Sequence, residues 1–476
     1  LWHFLHHGQF EGRSAYPSQH RKEGESYFPE TAATDLGRIG LGVKADGSSP
    51  KVTPAAQFSR SGAAADRLKF DAKIDVIVPV YDGLEETRTC IESALASMSA
   101  NNCFGKLILV DDCGPNRQLR ALLPEYARKP DVELLVNEEN LGFVKTVNRG
   151  MTHSGRDVVL LNADTEVQGD WLDRLCWHGV NAGKVATVTA FSNNATICTF
   201  PDIGGNPDLP EGRTLAEIDT AFADANAARS VEIPTGVGFC MFISRRALDT
   251  FGLFDEAYGK GYGEETDFCQ KALSAGWRNL LAGDVYVFHK GSVSFGARAA
   301  AEQLAGGAMM RERYPDYEPS VGRWVQRDPA LPLRVNAMAA LTSNAGQPVI
   351  LHILHPWGGG TEKHVAELAE SLRDDAEHVV MTAQRTGDGL SVGLLVREGE
   401  GWRKLSLTCG KLLDCAPLLA GFGVSRVHVH HCIAVFDELP GLIAELDAPY
   451  DLAIHDYSLI CPRNNLIRKR GVYCGE

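Results

Sequence analysis

Lys73-Ile74-Asp75-Val76-Ile77-Val78-Pro79-Val80 is the stretch on which the fold turns. Its apolar residues run almost without a break, as in a strand buried in a sheet. Residues 33–70, just before it, are rich in Gly, Ser, Ala and Lys without sustained periodicity, and read as a linker. After it, residues 85–98 place Ile91, Leu95 and Met98 at helical spacing. Leu107–Val110 reads as the next strand, 116–128 as a helix, Val132–Val136 as a strand and 142–153 as a helix. Val158–Leu161 is a fourth strand, and a further helix opens at Trp171. Strands and helices alternating at this spacing predict a doubly wound α/β sheet. Ligands of such sheets gather at the carboxyl ends of the strands.

Composition narrows the field. The chain has 476 residues, room for about three domains. Apolar residues make up 44 % and charged residues 23 %, which excludes a disordered or collagenous chain. No apolar run approaches the ~18 residues of a membrane helix, so no integral membrane segment is expected. Forty-seven basic against 61 acidic residues give a net charge of −14, which argues against a nucleic-acid partner. Twelve cysteines at irregular spacings form no Cys-x-x-Cys pair, so they read as reduced thiols in a cytoplasmic protein. Leu1, Phe4 and Leu5 share a helical face closed by Gly8, so residues 1–32 read as a fragment of a helical module. A chain opening on Leu1 and stopping at Glu476 is expected to be a piece of a longer one; no signal peptide is visible.

Beyond residue 185 the pattern is less regular, with a helix expected around 214–228 and a strand at Phe239–Ser244. A short helix over 264–276 and a strand at Val285–Phe288 follow. Residues 326–346, with Pro329, Pro332 and a run of small residues, read as a second linker. A new α/β unit opens at Pro348, with strand Val349–Leu354, the turn Gly358-Gly359-Gly360, a helix over 362–373, and strands at 378–381 and 426–430.

The acidic residues that matter stand where strands end. Asp111-Asp112 follow Leu107–Val110, and Asn162-Ala163-Asp164 follow Val158–Leu161. Each pair alone is ordinary turn chemistry. At matching ends of neighbouring strands they converge on one cleft, where clustered carboxylates call for a hard divalent cation, magnesium or manganese, and a phosphate-bearing substrate. Gly263-Glu264-Glu265-Thr266-Asp267 opens the 264–276 helix. One acid there would serve the helix macrodipole, but three exceed that need and offer a general base. His289, at a strand end, becomes a candidate metal ligand beside Asp164. Gly236-Val237-Gly238-Phe239 reads either as a turn before an edge strand or as a place of close backbone approach to substrate. Ser192-Asn193-Asn194 reads as a polar cleft-side loop without a role.

Val76-Ile77-Val78-Pro79-Val80-Tyr81, Val110-Asp111-Asp112, Asn140-Leu141-Gly142-Phe143, Asn162-Ala163-Asp164, Gly263-Glu264-Glu265-Thr266-Asp267-Phe268 and His289 follow in the order and spacing of family 2 glycosyltransferases. The resemblance covers about residues 73–325. It implies the GT-A nucleotide-diphospho-sugar transferase fold, a doubly wound mixed sheet over 71–325. It also implies inverting, metal-dependent transfer of a sugar from a nucleoside-diphosphate donor to a glycan hydroxyl. Pro79, Tyr81, Asp111, Asp112, Asn140, Gly142, Lys145, Asn162, Ala163, Asp164, Gly236 and Glu264 would then bind the nucleotide sugar. Glu265 would be the catalytic base, and Asp164 and His289 would hold Mn or Mg. Two positions depart from the family: Asn162 stands where the first Asp of Asp-x-Asp is usual, and Glu265 where Asp is usual. A catalytically silent sugar-nucleotide or glycan-binding scaffold is the alternative those departures allow.

Residues 347–476 read as a second, Rossmann-like α/β half-domain. His355-Pro356-Trp357-Gly358-Gly359-Gly360-Thr361-Glu362 and His455-Asp456-Tyr457-Ser458 resemble the N-terminal half of a family 4 glycosyltransferase of GT-B fold. The implied whole is a fusion of two transferases that builds bacterial surface polysaccharide. Its acceptor would be an oligosaccharide or lipid-linked glycan, met in the cytoplasm or peripherally at the inner face of the cell membrane.

Overall fold

The computed structural model describes residues 72–455 except 182, 205–208, 210–211, 260, 292–298, 343–346, 388 and 399–400. The expected helical fragment at 1–32 and linker at 33–70 lie outside the described residues, as do residues 456–476. Among the described residues the first unit has ten strands: β1 (Ile74–Val80), β2 (Phe104–Asp111), β3 (Val132–Val136), β4 (Val158–Leu161), β5 (Thr165–Glu166), β6 (Val185–Phe191), β7 (Ser230–Glu232), β8 (Cys240–Ile243), β9 (Arg278–Tyr286) and β10 (Phe288–His289). Its helices are α1 (Leu84–Ser97), α2 (Arg117–Tyr126), α3 (Phe143–His153), α4 (Trp171–Asn181), α5 (Leu215–Ala225), α6 (Arg245–Phe251), α7 (Glu264–Ser274), α8 (Ala299–Arg313), α9 (Tyr317–Arg327) and α10 (Leu331–Thr342).

The main sheet runs β3-β2-β1-β4-β8-β6-β9-β7, and a two-stranded ribbon pairs β5 with β10. Strands β1 to β4 are parallel, while β8 enters antiparallel between β4 and β6. The sheet is therefore mixed α/β, as expected. Its central strands are mostly apolar because helices cover both faces, with Asp75 of β1 and Thr187 and Thr189 of β6 as buried polar exceptions. Ile74, Val76 and Val78 pack on one side with Ile91 and Leu109, and Ile77 and Leu160 on the other with Val147 and Met151. The β1–β2 register sets Pro79 opposite Val110 and Val80 opposite Asp111, so the two strand ends finish level.

The second unit holds β11 (Val349–Leu354), β12 (Glu377–Thr386), β13 (Gly389–Glu398), β14 (Gly401–Cys409), β15 (Val424–Val429) and β16 (Tyr450–Leu452). Its helices are α11 (Gly360–Ser371), α12 (Ala416–Ala420) and α13 (Leu439–Leu446). Its sheet order is β14-β13-β12-β11-β15-β16. The β12-β11-β15-β16 part is parallel and Rossmann-like. The antiparallel extension β12-β13-β14 departs from that expectation. Leu390, Val392, Leu394 and Val396 alternate along β13 and are all buried, the period-2 signal of a strand.

The linker expected at 326–346 is corrected by α10. Leu331, Leu333, Val335, Ala337, Met338 and Ala339 are buried in it. Its small residues are mostly alanines, the best helix formers, rather than chain breakers. Arg334, itself buried, donates to the Thr199 carbonyl at 2.7 Å and the Ile197 carbonyl at 2.9 Å and pairs with Asp328 at 2.5 Å. Asn226 donates to the Leu333 carbonyl at 2.9 Å. Helix α10 therefore belongs to the core of the first unit.

Candidate active site

Asp164 follows β4, and His289 ends β10. The ribbon pairs His289 with Thr165, which brings the two side chains together: His289 Nε2 lies 3.4 Å from Asp164 Oδ1. The imidazole is fixed from three sides. Its Nδ1 lies 2.7 Å from the Asn194 carbonyl, an acceptor that places the proton on Nδ1. Phe239 stacks on the ring at 5.2 Å between centroids. The Asn193 side chain holds the His289 backbone through both its N–H, at 2.8 Å, and its carbonyl, at 3.0 Å. Burial raises the Asp164 carboxyl, but the hydrogen bond and charge of His289, with backbone amides including that of Gly291, outweigh it and hold the group below its ordinary value.

That tautomer leaves the Nε2 lone pair of a neutral His289 facing a carboxylate oxygen. Two acceptors so placed repel unless the ring takes a second proton or a cation binds both. One carboxylate and one outer-braced imidazole are a donor set that Mn or Mg can use, completed by water and phosphate oxygens. The residues fit a divalent cation.

Glu264 and Glu265 open α7 behind Gly263, whose φ of +121° favours glycine. A Cβ there would meet the Tyr258 ring at 2.8 Å, so the approach also demands glycine. Glu264 is buried, Glu265 is partly exposed, and both Oε2 atoms are enclosed without a hydrogen-bond partner. Burial and then the charge of Glu265 push the Glu264 carboxyl well above its ordinary value. Burial also raises Glu265, against the backbone amides of Glu265, Gly263 and Thr266 and a hydrogen bond from Glu264 that lower it. The physical cause is one desolvated site holding two acids, which favours a shared proton. Asp267, the third acid of the motif, plays a different part. It is fully buried and paired with Lys271 at 2.6 Å and Arg313 at 3.0 Å, so it anchors α7 to α8.

The segment before β8 joins the two pairs. A Cβ on Gly238 would lie 3.9 Å from the Glu265 side chain, and the next residue, Phe239, stacks on His289. Asn162 donates its backbone N–H to the Phe239 carbonyl at 2.8 Å, which docks Asn162-Ala163-Asp164 on the same segment. Gly236 donates its N–H to the Cys269 sulfur at 3.2 Å, and a Cβ there would meet Thr189 Oγ1 at 2.9 Å.

Asp111 and Asp112 stand at the end of β2 with different duties. Asp112 accepts from the N–H of Leu141 at 2.7 Å, of Gly142 at 2.9 Å and from Asn137 Nδ2 at 2.9 Å. It is a buried brace for the Asn140–Gly142 turn, whose Asn140 Oδ1 accepts from the Gly142 N–H at 3.0 Å. Asp111 accepts from Arg120 Nε at 3.0 Å through Oδ2, while its buried Oδ1 has no partner. Tyr81 is 36 % exposed and Pro79 half-buried beside it. A Cβ on Gly114 would sit 1.7 Å from the Tyr81 carbonyl, so the chain after Asp112 closes onto Tyr81. Lys145, on α3, faces Glu256 at 3.8 Å and ties that helix to the turn before α7.

Asn193, Phe239 and Tyr317 are the residues that sequence reasoning left without a role. Tyr317 opens α9, is hydrogen-bonded to Thr266 and sits against Glu265; burial pushes its phenol up. An amide two residues past a strand end gave a faint signal at Asn193. Nothing local marks Tyr317, which reaches the site from 51 residues beyond Thr266 in sequence.

Residues 75–252 match the model of the family described as Glycosyl transferase family 2. This stretch is thus similar to a glycosyltransferase domain, and the first unit has the mixed α/β architecture expected of the GT-A fold. An N-acetylglucosaminyltransferase of Rhizobium leguminosarum bv. phaseoli is 36 % identical over 106 residues, 21 % of this chain. The match spans 24 % of that relative's length. Among solved structures, a mannosyltransferase from Pyrobaculum calidifontis in complex with GDP-Man and Mn2+ is 17 % identical. It covers 71 % of this chain and 86 % of its own, with a TM-score of 0.38. GalNAc-T7 with UDP, GalNAc and Mn2+ is 12 % identical, covers 84 % of this chain and 86 % of its own, and has a TM-score of 0.41.

Proposed function

We propose that the first unit transfers a sugar, with inversion, from a nucleoside-diphosphate donor to a hydroxyl of a glycan acceptor. The observation that carries this reading is the meeting of the Asp164–His289 pair and the Glu264–Glu265 pair along Gly238-Phe239. A buried acid pair beside a candidate cation site is the arrangement an inverting transferase needs. Glu265 takes the proton of the acceptor hydroxyl, and the oxygen attacks the anomeric carbon from the face opposite the diphosphate. The donor C–O bond breaks, the diphosphate leaves with its electron pair, and the anomeric configuration inverts. Asp164 and His289 would hold Mn or Mg, which would supply charge neutralisation for that leaving group. Tyr81 and Pro79 offer the face on which a base stacks, and Asp111 Oδ1 offers an acceptor for a base N–H. Phe239, Asn193 and Asn194 keep the imidazole fixed, so that positioning contributes as much as charge.

The acceptor class is a saccharide of a bacterial surface polysaccharide, free or lipid-linked, and the reaction is cytoplasmic. The similarity of residues 75–252 to family 2 and the relative named as an N-acetylglucosaminyltransferase support glycosyl transfer, the coarser part of this reading. Among the described residues no helix is long and apolar enough to cross a membrane, so contact with a lipid-linked acceptor would be peripheral.

The test is a screen of nucleoside-diphosphate sugars for Mn2+-dependent stabilisation and turnover by the full chain. Anomer-resolved NMR of the product follows. Turnover lost in Asp164→Ala and Glu265→Gln with inverted product supports the reading. Donor binding without turnover in any pairing makes the unit a silent sugar-nucleotide module and defeats it.

A further inference from the structure

The second unit carries a feature that sugar transfer by the first does not use. Histidines from four strands or strand ends and one helix collect against one face of its sheet. His378 Nδ1 lies 2.9 Å from His352 Nε2, His352 Nδ1 lies 3.1 Å from His430 Nε2, and His430 Nδ1 lies 3.2 Å from His455 Nε2. His364, on α11, approaches the last two, with ring centroids 5.7 Å from His430 and 5.3 Å from His455.

From this geometry we infer that His364, His430 and His455 form a binding site for a divalent cation of the zinc type. One nitrogen from each lies within 4.8 Å of the others. A tetrahedral zinc with bonds of about 2.0–2.1 Å needs donor atoms spaced about 3.3–3.4 Å apart. The 3.2 Å between His430 and His455 is already close to that spacing, and rotation of His364 closes the remainder. Three imidazoles without carboxylate or thiolate select zinc, copper or nickel over magnesium or manganese. The site is chemically distinct from the Asp164–His289 pair for that reason.

One set of tautomers serves the ligands and their outer contacts, with the His378 Nε2–H left enclosed and without a hydrogen-bond partner. His430 gives its Nδ1 lone pair to the cation and donates Nε2–H to His352, which donates its own Nε2–H to His378. A ligating imidazole whose other nitrogen donates to a buried acceptor is the usual way such ligands are oriented. His352 and His428 also approach His430. That second group is committed elsewhere: His352 uses both nitrogens within the chain of imidazoles, and His428 Nε2 faces Asp451 at 3.2 Å. Placement agrees with the chemistry, because the three ligands come from the helix after β11 and from the ends of β15 and β16. Those are carboxyl ends of parallel strands, where α/β sheets hold their ligands.

The experiment uses the full chain, stripped with a chelator and dialysed against buffered Zn2+ or Co2+. Wild type is expected to retain about one equivalent of zinc and to show the intense visible bands of four- or five-coordinate Co2+. The double variant His364→Ala/His455→Ala is expected to bind zinc at least 100-fold more weakly and to lose the bands. His153→Ala, in the first unit, is expected to keep both. The metal-free variants are compared by circular dichroism. Should the double variant not fold, His455→Gln alone carries the test, since that residue lies past β16. Equal zinc uptake by wild type and either folded variant, or a six-coordinate cobalt spectrum in wild type, overturns the inference and leaves the array a hydrogen-bonded core.

Discussion

Glu265→Gln is expected to change activity and stability in opposite directions. Removing a general base costs ~10²–10⁴-fold in kcat, or about 2.7–5.4 kcal/mol at ~1.36 kcal/mol per tenfold. The shape of the site is kept, since Gln has the size of Glu and can still accept from Glu264. Stability follows from the raised carboxyl. A carboxyl whose folded pKa exceeds its unfolded value near ~4.3 holds its proton more tightly in the fold. Its cost is absent below the unfolded pKa and grows as pH rises to the folded pKa, reaching about 1.36 kcal/mol for each unit of upward shift. The Gln variant never makes that charge. It is therefore expected to melt above wild type at pH 8 and level with it near pH 4. Thermal unfolding at both pH values, with donor turnover at saturating Mn2+ and donor, measures both quantities. Turnover within tenfold of wild type, or a melting point lowered at pH 8 alone, refutes the reasoning.

The remaining expectations concern the same cleft. Asp164→Ala removes half of the Asp164–His289 donor set, so thermal stabilisation by Mn2+ with a nucleoside diphosphate should vanish while the unliganded melting point barely moves. Phe239→Leu takes away the ring that stacks on His289, and loss of such an outer support weakens metal affinity by ~10–100-fold; Mn2+ titration of donor turnover reads it. Asp112→Asn halves the carboxylate that holds the 141–142 amides and should cost about 1.5–3 kcal/mol in chemical denaturation. The acid limb of the wild-type pH–rate profile should lie above the ordinary carboxylate range, activity falling as pH drops through the raised pKa of the Glu264–Glu265 pair.

Much of the first unit was legible because its helices and strands differ in period. Val132–Val136 and Val158–Leu161 begin and end where their apolar runs do, and so does Val349–Leu354 in the second unit. The strand-end positions of Asp111-Asp112 and Asp164 were legible for a related reason, since each follows an apolar run, but the sheet sets β1 between β2 and β4 where the sequence suggested neighbouring strands. What escaped notice depends on distance along the chain. The clamp of Asn193 on His289 and the approach of Tyr317 to Glu265 arise only when strands cross over, which no local pattern encodes. Asp112 was placed in the nucleotide pocket by resemblance, and its hold on the Leu141 and Gly142 amides is a part that no local pattern marks. The 326–346 stretch failed because prolines and alanines suggest a loop one by one. Pro332 in fact sits in the first turn of α10, where no intrahelical partner is lost.

Helix α10 bears on how the two halves could ever have been joined or exchanged. A polypeptide severed at residue 330 would keep the Thr199 and Ile197 carbonyls but lose the guanidinium that satisfies them, and Phe191 would lose the cation lying 5.5 Å above its ring. A cut after Thr342 spares all of these. Evolution, or an engineer shuffling transferase modules, would therefore find the tolerated crossover point past the helix, and fragments 72–330 and 72–342 should differ sharply in resistance to protease.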